Sequence, residues 1–281
     1  MTRVWWIALL LVASLSLGAG CTPDDELPRT LIVKPRVLAI KAQPPSVAAG
    51  ETTTVTVLIV GTGAETPAVS WVRCRRAPRP GDAINPDCFD PAHADLLEPI
   101  GEGPTITTEM PADVTTEALG QPDASGGVYL PLIARVTVAG QSLLGSYRLR
   151  LSTPGDVNRN PGLTGVLSVN ADGSGTAIEE ASPPVVKAGD QLTLQPELAD
   201  GSAETYPAAL GDGTATEILL SSWFSTAGRF SQERTDATQP RTVLELSDPL
   251  PAPGDLIDLY AVTRDDRGGT EYVHRRLAFG Q

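Results

Sequence analysis

The chain has 281 residues, 21 Lys or Arg against 34 Asp or Glu, a formal charge of −13 and two histidines. Its length corresponds to about two domains, and 41% hydrophobic residues are enough to build cores, which excludes wholesale disorder. The acidic balance excludes a nucleic-acid binder, which needs a basic face for the phosphate backbone, and two histidines leave little room for histidine-rich metal sites.

Met1–Gly20 carries one charge, Arg3, then an apolar run from Val4 to Leu17 and the small residues Gly18, Ala19 and Gly20. This order predicts a cleaved secretory signal peptide over residues 1–20. The run is shorter than the roughly 20 residues of a spanning helix, and it has no polar face for a surface helix. Small residues ending in Cys21 resemble the bacterial lipobox, whose cysteine is acylated after cleavage. Gly18 stands where the lipobox usually has Leu, and Leu17 sits one step earlier. The resemblance implies lipidation of Cys21 (palmitate among the acyl chains), durable membrane anchoring through several chains, and a place in the cell envelope at the outer membrane. The alternative is an ordinary signal peptide that leaves Cys21 a free thiol. Residues 21–34 are the expected tether, of which Thr22–Arg29 (TPDDELPR) is a polar spacer with two prolines.

Two cysteines remain. In an oxidising compartment Cys74 and Cys88 are expected to pair, closing a loop worth about 3 kcal/mol in the chain-entropy account. A metal pair is the alternative, but the spacing is not C-x-x-C and no histidine cluster accompanies it. Arg73, Arg75, Arg76 and Arg79 form the densest basic cluster of an acidic chain, followed by Asp82, Asp87, Asp90 and Asp95. Two readings stand: self-neutralisation on a solvated loop, or a surface for an acidic partner such as lipid A phosphates or another envelope protein.

The remainder repeats a pattern. Pro45–Val55 and Pro184–Leu194 both fit P-x-V-x-A-G-[ED]-x-x-T-[VL]. The glycine suits a tight turn between short strands, and the residues after it alternate as strands do. Each copy then has one tryptophan in a strand-like run, Trp71 in VSWVRC and Trp223 in ILLSSWF. Each copy ends in a hairpin pattern: Val128–Val138 and Ser146–Ser152 around Ala139–Gly140, and Leu256–Arg264 and Glu271–Phe279 around Asp265–Gly269.

These features predict an all-β chain of two tandem Ig-like β-sandwiches. The motif P-x-V-x-A-G-[ED], the two tryptophans and the turn RDDRGG (Arg264–Gly269) resemble bacterial immunoglobulin-like domains, including the PKD-like group. PRVLAIKAQPPSVAAG is similar to the opening of surface lipoproteins of delta-proteobacteria. The expected domains are 35–154 and 166–281 with a linker over 155–165. Charge is polarised: Thr22–Pro154 sums to −4 and Gly155–Gln281 to −10, which, with the anchor at Cys21, puts the second domain on the solvent side. The cysteine pair, with Cys74 only three residues after Trp71, is expected to pin a loop rather than bridge the two sheets.

Asp156-Val-Asn-Arg-Asn-Pro-Gly162 has oxygen ligands at the first, third and fifth positions of a calcium loop, but Pro161 replaces the turn glycine and Leu167 the bidentate Glu. Asp265 and Asp266 read as an exposed acidic turn. No G-x-S-x-G, H-E-x-x-H or phosphate loop occurs, so neither catalysis, a metal nor a cofactor is expected. The expected function is a non-enzymatic, membrane-anchored envelope lipoprotein acting as a structural, spacer or protein-binding module. Adhesion or glycan binding, through surface aromatics such as Tyr206 or Tyr272, is the alternative.

Overall fold

The computed structural model describes residues 27–79, 82, 84–208 and 213–280. The expected signal peptide over residues 1–20 and Cys21 lie outside them. The first sandwich contains β1 (Arg36–Gln43), β2 (Ser46–Val47), β3 (Thr52–Val60), β4 (Ala68–Cys74), β5 (Leu97–Glu102), β6 (Thr105–Glu109), β7 (Tyr129–Val138) and β8 (Gln141–Leu151). They form one sheet in the order β1-β3-β6 and another in the order β2-β8-β7-β4-β5.

The second sandwich follows with β9 (Leu163–Val169), β10 (Gly175–Ala177), β11 (Val185–Val186), β12 (Gln191–Leu198), β13 (Thr205–Pro207), β14 (Thr214–Thr216), β15 (Leu220–Ser225), β16 (Arg229–Phe230), β17 (Arg234–Thr235), β18 (Thr242–Glu245), β19 (Leu256–Arg264) and β20 (Thr270–Phe279). Its sheets run β10-β9-β12-β18-β16 and β11-β20-β19-β15-β17, with β13-β14 a separate hairpin. Strand for strand, β11-β20-β19-β15-β17 repeats β2-β8-β7-β4-β5. In both domains the first strand pairs with one sheet and its continuation crosses to run parallel to the last strand of the other. This is the Greek-key connectivity of Ig-like sandwiches.

The repeated motif produces that crossing. Gly50 and Gly189 adopt φ of +80° and +82°, conformations a side chain would strain. Their N–H groups donate to Met110 O and Leu246 O, both at 2.8 Å. The acid that follows accepts from the backbone three residues earlier, Ala48 N to Glu51 and Lys187 N to Asp190. Val47 and Val186, just upstream, are the buried residues that pair with Leu151 and Phe279.

Trp71 and Trp223 are 1% and 0% exposed, each at the centre of its own core. Each stands opposite an alanine on the neighbouring strand, Ala134 and Ala261, which leaves room for the indole. Each indole N–H is satisfied, by Gly103 O at 2.9 Å and Thr235 Oγ1 at 3.0 Å. The first closing hairpin turns at Ala139 and Gly140, both at positive φ, as a two-residue hairpin turn requires.

Two smaller clusters add to these cores. One lies on the outer face of β4 and β7, where Val72, Cys74, Ile84, Cys88 and Ile133 pack together. The other joins the domains: Ile32, Leu38, Ala39 and Val60 of the first meet Val262, Phe224, Tyr260 and Tyr272 of the second. The expected tether of residues 21–34 is built into this joint at its end. Thr30, Leu31 and Ile32 are buried, and Ile32 N donates to Ser225 O while Ser225 N donates to Thr30 O. The chain therefore enters the fold against the second domain, so that domain is not held one domain further from residue 30.

Candidate functional site

The joint between the domains has the densest network of buried charge. Two arginines from the two closing hairpins, Arg150 at the end of β8 and Arg267 in the β19–β20 turn, are 0% and 1% exposed. They share one carboxylate from the linker. Arg150 Nη2 donates to Asp156 Oδ2 at 2.6 Å, and Arg267 Nη2 donates to Asp156 Oδ1 at 2.7 Å. Arg150 also donates to Ser125 Oγ at 2.8 Å and Tyr129 OH at 3.0 Å. Arg267 donates to Glu217 Oε1 at 3.1 Å and lies over the Tyr206 ring. Gly127 is required here, because a Cβ would run into the Arg150 guanidinium.

The rest of the linker is equally engaged. Asn158 N donates to Ser46 Oγ at 2.9 Å, and Asn160 Nδ2 donates to Ala42 O at 2.8 Å in the first domain. Thr270 N of the second domain donates to Asn160 Oδ1 at 2.8 Å. Tyr147 OH reaches Gly268 O at 2.9 Å, Arg264 Nη2 reaches Leu38 O at 2.7 Å, and Lys41 pairs with Glu271 at 2.6 Å. Burial pushes the Asp265 carboxyl above its ordinary range and the Glu217 carboxyl up to about 7. Hydrogen bonds from Arg267 N and Gly269 N to Asp265 oppose part of that rise.

Several sequence readings change at this joint. Residues 155–165 connect the domains, but β9 already begins at Leu163 and the segment is pinned to both sides. Of the side-chain oxygens spaced as in a calcium loop, those of Asp156 accept from two guanidiniums and that of Asn160 accepts from Thr270 N of the second domain, while that of Asn158 is buried without a hydrogen-bond partner. Only half of the acidic pair in the Asp265–Gly269 turn is exposed: Asp266 faces solvent, whereas Asp265 is 9% and Arg267 1% exposed. Tyr206 is buried under Arg267, and Tyr272 packs in the interdomain cluster. Neither offers a free ring for a sugar.

Cys74 and Cys88 form a disulfide with Cα atoms 6.0 Å apart. Both are buried against the outer face of β4 and β7, so the bridge staples the β4–β5 loop and leaves the Trp71 core to apolar packing. The staple positions the arginines. Arg73 and Arg75 share Glu98 at 2.6 and 3.1 Å, and Arg76 and Arg79 share Asp87. Hydrogen bonding from Arg73 holds the Glu98 carboxyl below its ordinary range. Arg73, Arg75 and Arg76 line a cavity of about 430 Å³ beside Val114, Leu119 and Leu130. The two histidines stay in separate domains: His93 sits in a 3-10 turn, and His274 Nε2 lies 2.7 Å from Asp258 Oδ1 and stacks on Tyr260.

No protein-family model matches the chain, and no curated protein matches it. Among solved structures, the N-terminal Ig1-2 module of the Drosophila receptor protein tyrosine phosphatase DLAR aligns over 88% of this chain and 100% of its own, at 12% identity and a TM-score of 0.26. Salmonella alpha-2-macroglobulin aligns over 88% of this chain and 17% of its own, at 13% identity and a TM-score of 0.28. A DUF4785 family protein from Legionella pneumophila aligns over 85% and 56%, at 10% identity and a TM-score of 0.25. With TM-scores this low the likenesses carry no weight of their own, and the Ig-like assignment rests on the strand order.

Proposed function

We propose that this protein is a non-enzymatic envelope lipoprotein, anchored through Cys21 at the outer membrane, whose two Ig-like domains work as one rigid structural and protein-binding unit. The observation that carries this reading is the buried joint. Tandem domains with a small polar contact move independently. Here the linker carboxylate is clamped by one buried arginine from each domain, and an apolar cluster and further hydrogen bonds surround it. Such a joint suits a spacer that must present a binding surface in a fixed orientation. The arginine cluster Arg73, Arg75, Arg76 and Arg79 is the candidate surface for an acidic envelope partner, because four guanidiniums share two carboxylates there.

Two measurements test the reading. Nitrogen-15 relaxation of the soluble chain should give both domains a single rotational correlation time; two distinct values would overturn the rigid unit. Cys21→Ala should accumulate as unprocessed or mislocalised protein on cell fractionation. If that variant still partitions with membranes at the mature mass, the anchor assignment fails.

A further inference from the structure

We propose that a groove on the second sandwich binds an apolar peptide segment carrying lysine or arginine, contributed by a partner protein. The inference rests on the binding-module reading and names the chemistry of one partner.

The groove is enclosed by the end of β12 and the turn after it (195–203), the segment leading into β15 (217–221), and the loop between β17 and β18 (235–240). Its volume is about 700 Å³, larger than the 430 Å³ cavity beside the arginine cluster and within the usual range of ligand sites. Two aliphatic side chains on its walls face water, Ile218 at 66% and Leu198 at 37% exposure. Exposed aliphatic surface that lines a concavity gains most from an apolar occupant.

The charge on the walls selects among such occupants. Asp200, Glu217 and Asp236 line the groove, and no lysine or arginine does among the described residues. Arg241, next to Pro240 of the wall, is directed to the Gln195 amide at 3.2 Å and does not line the groove. The Glu217 carboxylate already has a partner in Arg267, whereas Asp236 accepts only from neutral groups of its own turn. An anionic occupant would meet two or three like charges, and a cationic one the complementary field. The Ser202 and Thr238 hydroxyl oxygens on the same walls can accept from peptide N–H groups, which a bare alkyl chain would leave unpaired.

The test uses residues 22–281, which contain every described residue, with nitrogen-15 labelling. Two capped pentapeptides are titrated, each with a Leu-Val-Leu centre, one flanked by lysine and one by glutamate. The lysine peptide should shift the amide resonances of Leu198, Asp200, Ile218 and Thr238 saturably and bind roughly tenfold tighter than the glutamate peptide. Ile218→Ser, at an exposed position that leaves the fold intact, should weaken it roughly fivefold. Asp200→Asn should narrow the preference for the lysine peptide. Equal affinity of the two peptides, preference for glutamate, shifts confined to other surfaces, or no saturable shift up to about 1 mM would each overturn the proposal. None of these variants touches the joint or Cys21, so failure here leaves the anchored two-domain reading to its own tests.

Discussion

Glu98, Asp87 and Asp156 are each shared by two arginines, and the surroundings make the pairs different objects. On the surface, Arg73 and Arg75 share Glu98, and Arg76 and Arg79 share Asp87, with Arg75, Arg76 and Arg79 each at least 47% exposed. In the joint, Arg150 and Arg267 share Asp156 at 0% and 1% exposure. Water screens the surface pairs and solvates each guanidinium if its partner leaves. In the joint a departing Asp156 carboxylate leaves Arg150 a buried cation with no counter-charge and Arg267 with Glu217 as its close carboxylate partner. The surface cluster is therefore free to exchange its partners for an external one, whereas the buried clamp is committed to holding the domains together.

The largest effect should come from breaking the clamp. Asp156→Ala is expected to destabilise the chain by about 4 kcal/mol, the range seen when one partner of a buried ion pair is removed. Urea unfolding followed by tryptophan fluorescence is informative because each domain has one buried tryptophan. The wild type should unfold in one transition, and the variant should separate into two as Trp71 and Trp223 report different domains. A single unshifted transition would make the clamp decorative. Removing the staple under the surface pairs comes next. The double variant Cys74→Ala, Cys88→Ala should lose about 3 kcal/mol through the freed loop. Heteronuclear relaxation should then show motion in Arg75–Phe89 while the joint keeps its single correlation time.

The comparison also shows what could be read from the sequence. The motif around Gly50 and Gly189, the paired tryptophans and the closing hairpins were legible because their working parts are neighbours: a turn glycine, its capping acid and the alternating strand lie within eleven residues. The surface arginines were visible for the same reason. The joint was not, because Arg150, Asp156 and Arg267 meet only when two hairpins from different domains face each other. Asp156 reads as an ion ligand because a guanidinium and a calcium ion ask for the same carboxylate oxygens. Sequence spacing records the donors and not which cation folding brings to them. Thr30–Ile32 read as the end of a tether because so short a run gives no strand period; only the backbone partner Ser225 reveals it.

A third prediction concerns pH. Glu217 faces Arg267, Glu204 and Asp265, and Tyr206 packs on the same arginine. Its folded carboxyl titrates near 7, above the ordinary value of 4.5. The folded state thus binds more protons than the unfolded state between those values, and stability falls as pH rises through that window. Asp258 shifts the other way, held low by His274, so its contribution is lost only on strong acidification. Between pH 5 and 7.5 the wild type should lose stability relative to Glu217→Gln by about 2 kcal/mol, measured as the difference between two urea titration series. A flat difference would mean that the Arg267 pair outweighs burial at this carboxylate.

The smallest effect belongs to the surface pairs and is the sharpest check on the contrast with the joint. Glu98→Gln and Asp87→Asn each free two arginines, yet each should cost no more than about 1 kcal/mol, because exposed pairs are worth little once screened. Added salt should erase even that difference, since the Debye length shrinks to about 3 Å at 1 M. Asp156→Ala should keep most of its loss in the same salt, because its arginines are out of reach of the ion atmosphere. If the surface variants proved as costly and as salt-insensitive as the buried one, the arginine cluster would be structural and could not be free to engage an acidic partner. If they remain cheap while the net positive charge of the loop rises by one, binding of an acidic partner should strengthen in the same variants that scarcely alter folding.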